Sequence, residues 1–249
     1  IHDAETAVQK HHPEFSIQKL DYDDPDTYRM LGQGDTEGVF QLESSGMKQV
    51  LVGLQPQNLE DIIALISLYR PGPMDSIPTY LRNRHEPDKI SYKTPQLAYG
   101  FTVYQEQVMQ IFRELAGFSF GQADNVRRAM SKKKHAVMEA EREHFVYGCT
   151  DPGNECPGCV ANGISEKVAN EIYDEMSSFA SYAFNKSHAA CYAYVAFQTA
   201  YLKCHYPSEF MAALLTSVLD NTDKVIEYSG ECARLGIKVL PPDVNVSNG

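Results

Sequence analysis

Apolar residues recur at every third or fourth position along most of this chain, and that period commits the backbone to helix. "YQEQVMQIFRELAG" (104–117) is one example. Val108, Ile111, Phe112 and Leu115 fall on one face, and Gly117 stands where a helix C-terminus takes a left-handed residue. "NLEDIIALISLY" (58–69) opens with Asn58 as a cap and acids at 60 and 61, near the positive end of the helix dipole. It halts at "RPGP" (70–73), since proline cannot continue the hydrogen-bond ladder. Further helices are expected up to the basic stretch at 127–134, near 135–147, over 165–179 behind a Ser165 cap, and over 188–206. Two more are expected over 207–219, starting at Pro207, and over 223–236, closed by glycine. The 188–206 segment is apolar on most sides and reads as buried helix. Strand signals are few: 37–43, 89–92 and 237–244. The expected fold class is mainly α, an irregular multi-helix domain with a few short strands.

Composition sets limits. Hydrophobic residues at 43% and charged residues at 22% suit a globular protein of 249 residues. No apolar run approaches the roughly 18 residues a membrane span needs, so no membrane partner is expected. The opening "IHDAETAVQK" has no Met and no secretory h-region, and reads as the back half of a helix within a larger protein. Six cysteines are scattered, three inside helical patterns, which points to reduced thiols and a cytoplasmic setting. Cys149, Cys156 and Cys159 stand as C-x6-C-x2-C with His144 five residues before. Only Cys156 and Cys159 have a familiar metal-ligand spacing, so a connecting loop without stoichiometric zinc is expected.

Against 33 acids and 22 bases, a net charge of −11, the stretch "RRAMSKKK" (127–134) collects five positive side chains in eight positions. On a helix wheel Val126, Ala129 and Met130 form an apolar seam. Arg127, Arg128, Lys132 and Lys134 lie across from it, and Lys133 sits nearer the seam. This crescent has two readings. One is a solvated face with Asp124 bridging to Arg128 at i,i+4. The other is an anion site, because Arg forks suit phosphate and Lys adds point charge. A second cluster, "SYAFNKSHAACYAY" (181–194), places Asn185, Lys186, Ser187 and His188 where a long helix begins. Backbone N–H groups there, with Lys186 and His188, can bind phosphate, and Tyr182 can stack a base. The same residues also serve as plain caps and core.

In order and spacing, "GVFQLESSGMK" (38–48), "LYRPGP" (68–73), "YQEQVMQI" (104–111), "RRAMSKKK" and "AFNKSHAACYA" (183–193) resemble the fingers region of the alpha subunit of bacterial DNA polymerase III, a family C polymerase. "YPSEFMAALLTSVLDNT" (206–222) and "KVLPPDVN" (238–245) continue the likeness. The resemblance implies a fingers domain over 21–249, with 1–20 as the tail of a preceding helix or palm edge. It implies template-directed DNA synthesis, with template-primer DNA, deoxynucleoside triphosphates and other replicase subunits as partners and Mg2+ as cofactor. The metal-binding carboxylates of such enzymes belong to palm motifs this chain does not carry, so neither catalytic nor metal-ligating residues are expected, and the fragment alone should be inactive. "DYDDPD" (21–26) is no substitute: Asp24-Pro25 reads as a helix cap followed by proline at the first helical position. By motif, Arg127, Arg128, Lys132, Lys133, Lys134, Lys186 and His188 carry over as nucleotide-binding, with Tyr182 beside them, and Arg70 and Gln105 as shaping the site. The alternative is a non-catalytic helical module that binds nucleic acid or a protein partner. No G-x-x-x-x-G-K-[ST] or G-x-G-x-x-G run points to another nucleotide fold.

Overall fold

The computed structural model describes residues 1–89, 103–132, 135–180 and 184–241, and these are mainly helical. The α-helices are α1 (His2–Gln9), α2 (Pro25–Gly32), α3 (Ser45–Leu54), α4 (Leu59–Leu68), α5 (Ile77–His85), α6 (Gln105–Ala116) and α7 (Phe120–Ser131). They continue as α8 (His135–Tyr147), α9 (Gly158–Ala161), α10 (Glu166–Ala180), α11 (Lys186–His205), α12 (Pro207–Ser217) and α13 (Thr222–Arg234). The caps lie where the sequence puts them. Asp61 N–H donates to Asn58 Oδ1, Thr27 N–H to Asp24, and Val168 N–H to Ser165. Gly117 and Gly236 both take φ of +75°, closing α6 and α13 in the left-handed region. Among the described residues no helix is long and apolar enough to cross a membrane.

Residues 37–43 are not a strand. Gly38 and Gln41 have φ of +75° and +64°, and Val39 N–H and Leu42 N–H close successive turns onto Thr36 and Val39 carbonyls. Val39 and Leu42 are buried while Phe40 faces out, so the alternation that suggests a strand arises from two consecutive turns. Residues 237–241 form no strand either, and 242–244 and 90–92 lie outside the described residues. Three helices escape the sequence pattern, one of them the single turn α9 in the cysteine loop. In α3, two glycines and two valines lower helix propensity, and in α5 Pro78 mimics a break although the first turn tolerates it.

The chain divides into two compact units, Ile1–Ile62 with Tyr192–Gly249, and Ile63–Cys191. The second has a core built on rings from α6, α8 and α10: Phe112 lies 4.8 Å from Phe145 and 6.0 Å from Tyr173. Val108, Ile111, Val126 and Met130 complete it, so α6 and α7 each turn an apolar seam inward. In the first unit, Val8, Leu202, Phe210, Met211 and Cys232 gather α1, the end of α11, α12 and α13.

Beside that first core Lys203 is fully buried, which only close anionic partners make tolerable. Its ammonium lies 2.9 Å from Asp35 and 2.7 Å from Glu231, and donates to the Glu37 carbonyl. Arg234 bonds both carboxylates. Burial alone would raise the Glu231 carboxyl, but hydrogen bonds from Arg234 and Lys203 outweigh it and bring its pKa from 4.5 down to about 2. A depressed carboxyl stabilises the fold above its unfolded value, and that contribution is lost as pH falls through the folded one. Stability should therefore decline from about pH 4.5 toward 2, more steeply in the native chain than in Glu231→Gln. Lys203→Ala leaves the two carboxylates without their ammonium and should cost about 3–5 kcal/mol in urea unfolding. A loss below about 1 kcal/mol would contradict this account of the buried network.

Candidate functional site

The site is organised by the chain just before α6. Val103 and Tyr104 N–H groups both donate to Gln107 Oε1, at 2.7 and 2.8 Å, so a side chain of the first turn fixes the entry of the helix. The same segment pairs with the residues before α11. Phe184 N–H donates to the Val103 carbonyl at 3.1 Å, Gln105 N–H to the Phe184 carbonyl at 3.0 Å, and Tyr104 and Phe184 form a parallel bridge. The N-termini of α6 and α11 are thereby neighbours.

That junction brings together residues from four motifs. The Lys186 ammonium lies 5.2 Å from the Tyr104 ring centre, and the Lys186 N–H donates to both Glu106 carboxylate oxygens, at 3.3 and 3.2 Å. Phe184 carries the Arg70 guanidinium 4.4 Å above its face and meets His188 edge-on at 5.4 Å. Arg70 Nε also donates to the Ser67 carbonyl. Gln105 accepts from Arg127 Nη1 at 3.0 Å. Arg70, Gln105, Arg127, Lys186 and His188 thus form one connected group.

Along α7 the apolar seam is as expected, with Val126, Ala129 and Met130 buried. Across from it, Asp124 bridges both arginines. Its Oδ1 takes Arg127 Nε and Nη2 at 2.9 and 2.7 Å, and its Oδ2 takes Arg128 Nε at 2.8 Å. The hydrogen bond from Arg127 is the main cause holding the Asp124 carboxyl below the usual range. Arg127 is half-buried, while the Arg128 side chain remains 66% exposed, and Lys132 is exposed at the end of the helix. Lys133, Lys134 and Tyr182 lie outside the described residues.

The N-terminus of α11 differs from a bare anion cradle. Glu106 takes the Lys186 N–H, and Asn185 Oδ1 takes the His188 N–H at 2.9 Å. Capping is therefore what these two N–H groups do, while the Lys186 ammonium lies over the Tyr104 ring and the His188 ring meets Phe184. Sequence reasoning missed Tyr104, Glu106 and Phe184. Glu106 lies in the "YQEQ" motif read for Gln105 alone, and its partner is 80 positions away.

Residues 1–153 match the family profile of the bacterial DNA polymerase III alpha subunit finger domain. The chain belongs to this family. It is 49% identical over 245 residues to DNA polymerase III subunit alpha of Thermus aquaticus, an alignment covering 94% of this chain and 19% of that protein. The subunit of the same name from Staphylococcus aureus strain N315 is 44% identical over 238 residues, covering 93% and 21%. The fingers chain thus spans about a fifth of the length of these relatives.

The one carboxylate cluster found among the described residues does not suit a divalent ion. Among the described residues, Asp35, Glu37 and Glu231 are the group whose ligand atoms lie within 4.8 Å of one another. Lys203 and Arg234 hold two of them and Lys48 holds Glu37, so three cationic side chains already balance three carboxylates. Asp24 caps α2 and lies 2.9 Å from His205 Nε2, and Asp26 pairs with Arg29.

The cysteine loop is also closed on itself. Cys149 and Cys156 exchange two backbone hydrogen bonds of 2.9 Å, which draws Gly148 and Gly158 together. A β-carbon at Gly158 would lie 2.2 Å from Gly148 N. The Cys156 thiol donates to the His144 carbonyl, and burial pushes the Cys159 thiol up to about 12. Zinc binds thiolate, and these environments favour thiol. Elemental analysis of the purified chain should find well under one zinc per molecule, unchanged by Cys156→Ser. One zinc lost on that substitution would overturn the reading.

Proposed function

We propose that this fingers chain binds the incoming deoxynucleoside triphosphate and the adjoining template-primer during template-directed DNA synthesis by the alpha subunit. Residues 21–249 form the working module and 1–20 its lead-in. The observation that carries the reading is the connected cationic group: Arg127 and Lys186, far apart in sequence, are tied to consecutive residues, Gln105 and Glu106, of one helical turn. Arg128 joins it through Asp124, and Arg70 and His188 through Phe184.

In this reading Arg128 meets phosphate oxygens directly, since a guanidinium offers paired donors matched to them. Arg127, bonded to Asp124 and Gln105, backs it with charge. Lys132, Lys133 and Lys134 add their positive charge to the field. Lys186 and His188 address the phosphates from α11, and Tyr182 offers a ring to a base. Gln105 and Arg70 shape the site. The magnesium of the reaction, which would polarise the transferred phosphoryl group, would be held by residues outside this chain. The rival reading, a non-catalytic helical module binding nucleic acid or a partner, is disfavoured by the joining of Arg127 and Lys186 at one turn.

In the full-length subunit, Arg128→Ala should lower kcat/KM for nucleotide roughly ten- to a hundredfold, since a hydrogen bond to a charged group is worth about 1.5–3 kcal/mol. Folding should change little, because an exposed i,i+4 pair contributes only about 0.3–0.5 kcal/mol. The 249-residue chain alone should extend no primer with magnesium and four nucleotides. Unaltered nucleotide kinetics in Arg128→Ala would refute the proposal, and primer extension by the isolated chain would refute the placement of the metal site.

A further inference from the structure

We propose that Asp124 is a positioning residue that aims Arg128 at the nucleotide phosphates. The inference rests on the reading of α7 as the phosphate-binding helix and assigns a role within it to a carboxylate.

Side chains on a helix lean toward its N-terminus, so Arg127 and Arg128 both fold back over the turn that holds Asp124, at i,i+3 and i,i+4. The carboxylate divides its oxygens between them. Oδ1 takes the Nε and Nη2 edge of Arg127, whose Nη1 is bonded to Gln105. This guanidinium is braced on two sides. Oδ2 pairs with Arg128 through an ion-pair contact of 2.8 Å to Nε. Nε lies at the inner side of the guanidinium plane, so a bond there leaves the Nη1–Nη2 end, the fork that fits a phosphate, pointing outward. The exposure of that side chain agrees.

A competitor carboxylate would instead cover the fork. Asp124 does not do so at Arg128, and one carboxylate against two guanidinium groups leaves the pair net positive. The bond also restricts a long side chain that otherwise samples many rotamers, so less ordering remains to be done when phosphate arrives. Arg127 holds the Asp124 carboxyl below the usual range, so it is charged at neutral pH.

The test is steady-state nucleotide incorporation by the full-length subunit carrying Asp124→Asn, Asp124→Glu, Arg128→Ala or the double variant Asp124→Asn/Arg128→Ala. Asparagine keeps the size but loses the charge and one acceptor. Asp124→Asn should raise nucleotide KM by about tenfold with kcat within about threefold, and Asp124→Glu should recover most of the loss. The double variant should be little worse than Arg128→Ala alone, which a merely structural ion pair would not produce. Thermal midpoints measured beside the kinetics should match the parent. If Arg128→Ala raises KM while Asp124→Asn leaves it unchanged or lowers it, the positioning role is wrong and the nucleotide reading stands. Full additivity in the double variant rejects the positioning role as well. If Arg128→Ala leaves KM unchanged, both readings fall.

Discussion

Two backbone hydrogen bonds, between Phe184 and the residues flanking Tyr104, hold the candidate site together. They join the entries of α6 and α11, helices whose first residues are 81 positions apart by numbering, 105 and 186. Closing so long a loop costs little more than closing a shorter one, because the entropy grows only with the logarithm of length. The pairing is secured by burial of Val103 and Tyr104 and by the Gln107 side chain that caps their N–H groups. Once it is made, Gln105 meets Arg127, Glu106 meets the first N–H of α11, and Phe184 meets Arg70 and His188. None of those contacts needs a long-range element of its own.

The junction creates an electrostatic problem as well. It sets side by side two helix N-termini, each carrying about half a positive charge, among Arg70, Arg127 and Lys186. Glu106, in the first turn of α6, answers both poles at once: acidic residues are favoured at that position of its own helix, and its carboxylate caps the next. The Lys203 network uses the same physics to another end. There three carboxylates meet three cationic side chains, and a buried ammonium is held among them. At α7 one carboxylate faces two guanidinium groups, with Lys132 beyond. A balanced cluster stabilises a fold, whereas an unbalanced one keeps potential for an incoming anion. Net charge of the chain decides neither case.

Local signals gave most of the helices and their ends. Asn58, Asp24, Ser165, Gly117 and Gly236 all work through groups within a few residues of themselves, so the sequence states them directly. Where a segment obeys two patterns at once, sequence reading fails. Residues 37–43 alternate like a strand, yet left-handed Gly38 and Gln41 turn them, and Pro78 looks like a break but lies in the first turn of α5. For the site, the charged members were legible because clustered like charges are unusual in an acidic chain. The bracket that positions them was not: Tyr104, Glu106 and Phe184 are ordinary residues whose importance comes from partners far along the chain. The capping of α11 by Glu106 is such a case, since no local pattern announces a cap supplied by another helix.

The adjacency of Arg127 and Arg128 has a geometric consequence. Neighbours on a helix point about 100° apart, so two consecutive arginines cannot face one ligand in the same way. One turns toward the packed side and the other toward solvent. Arg127 is half-buried and bonded to Gln105, which anchors α7 to the entry of α6; Arg128 is exposed and ion-paired with Asp124 at its inner nitrogen. Asp124 lies between these directions, three and four residues earlier, at a register from which a carboxylate reaches both. Shifted by a single residue, the same three side chains could form one ion pair at most. The spacing Asp-x-x-Arg-Arg therefore makes a brace and an outward fork from two identical residues, and the bond from Arg127 to Gln105 ties that arrangement to the turn that also fixes Lys186.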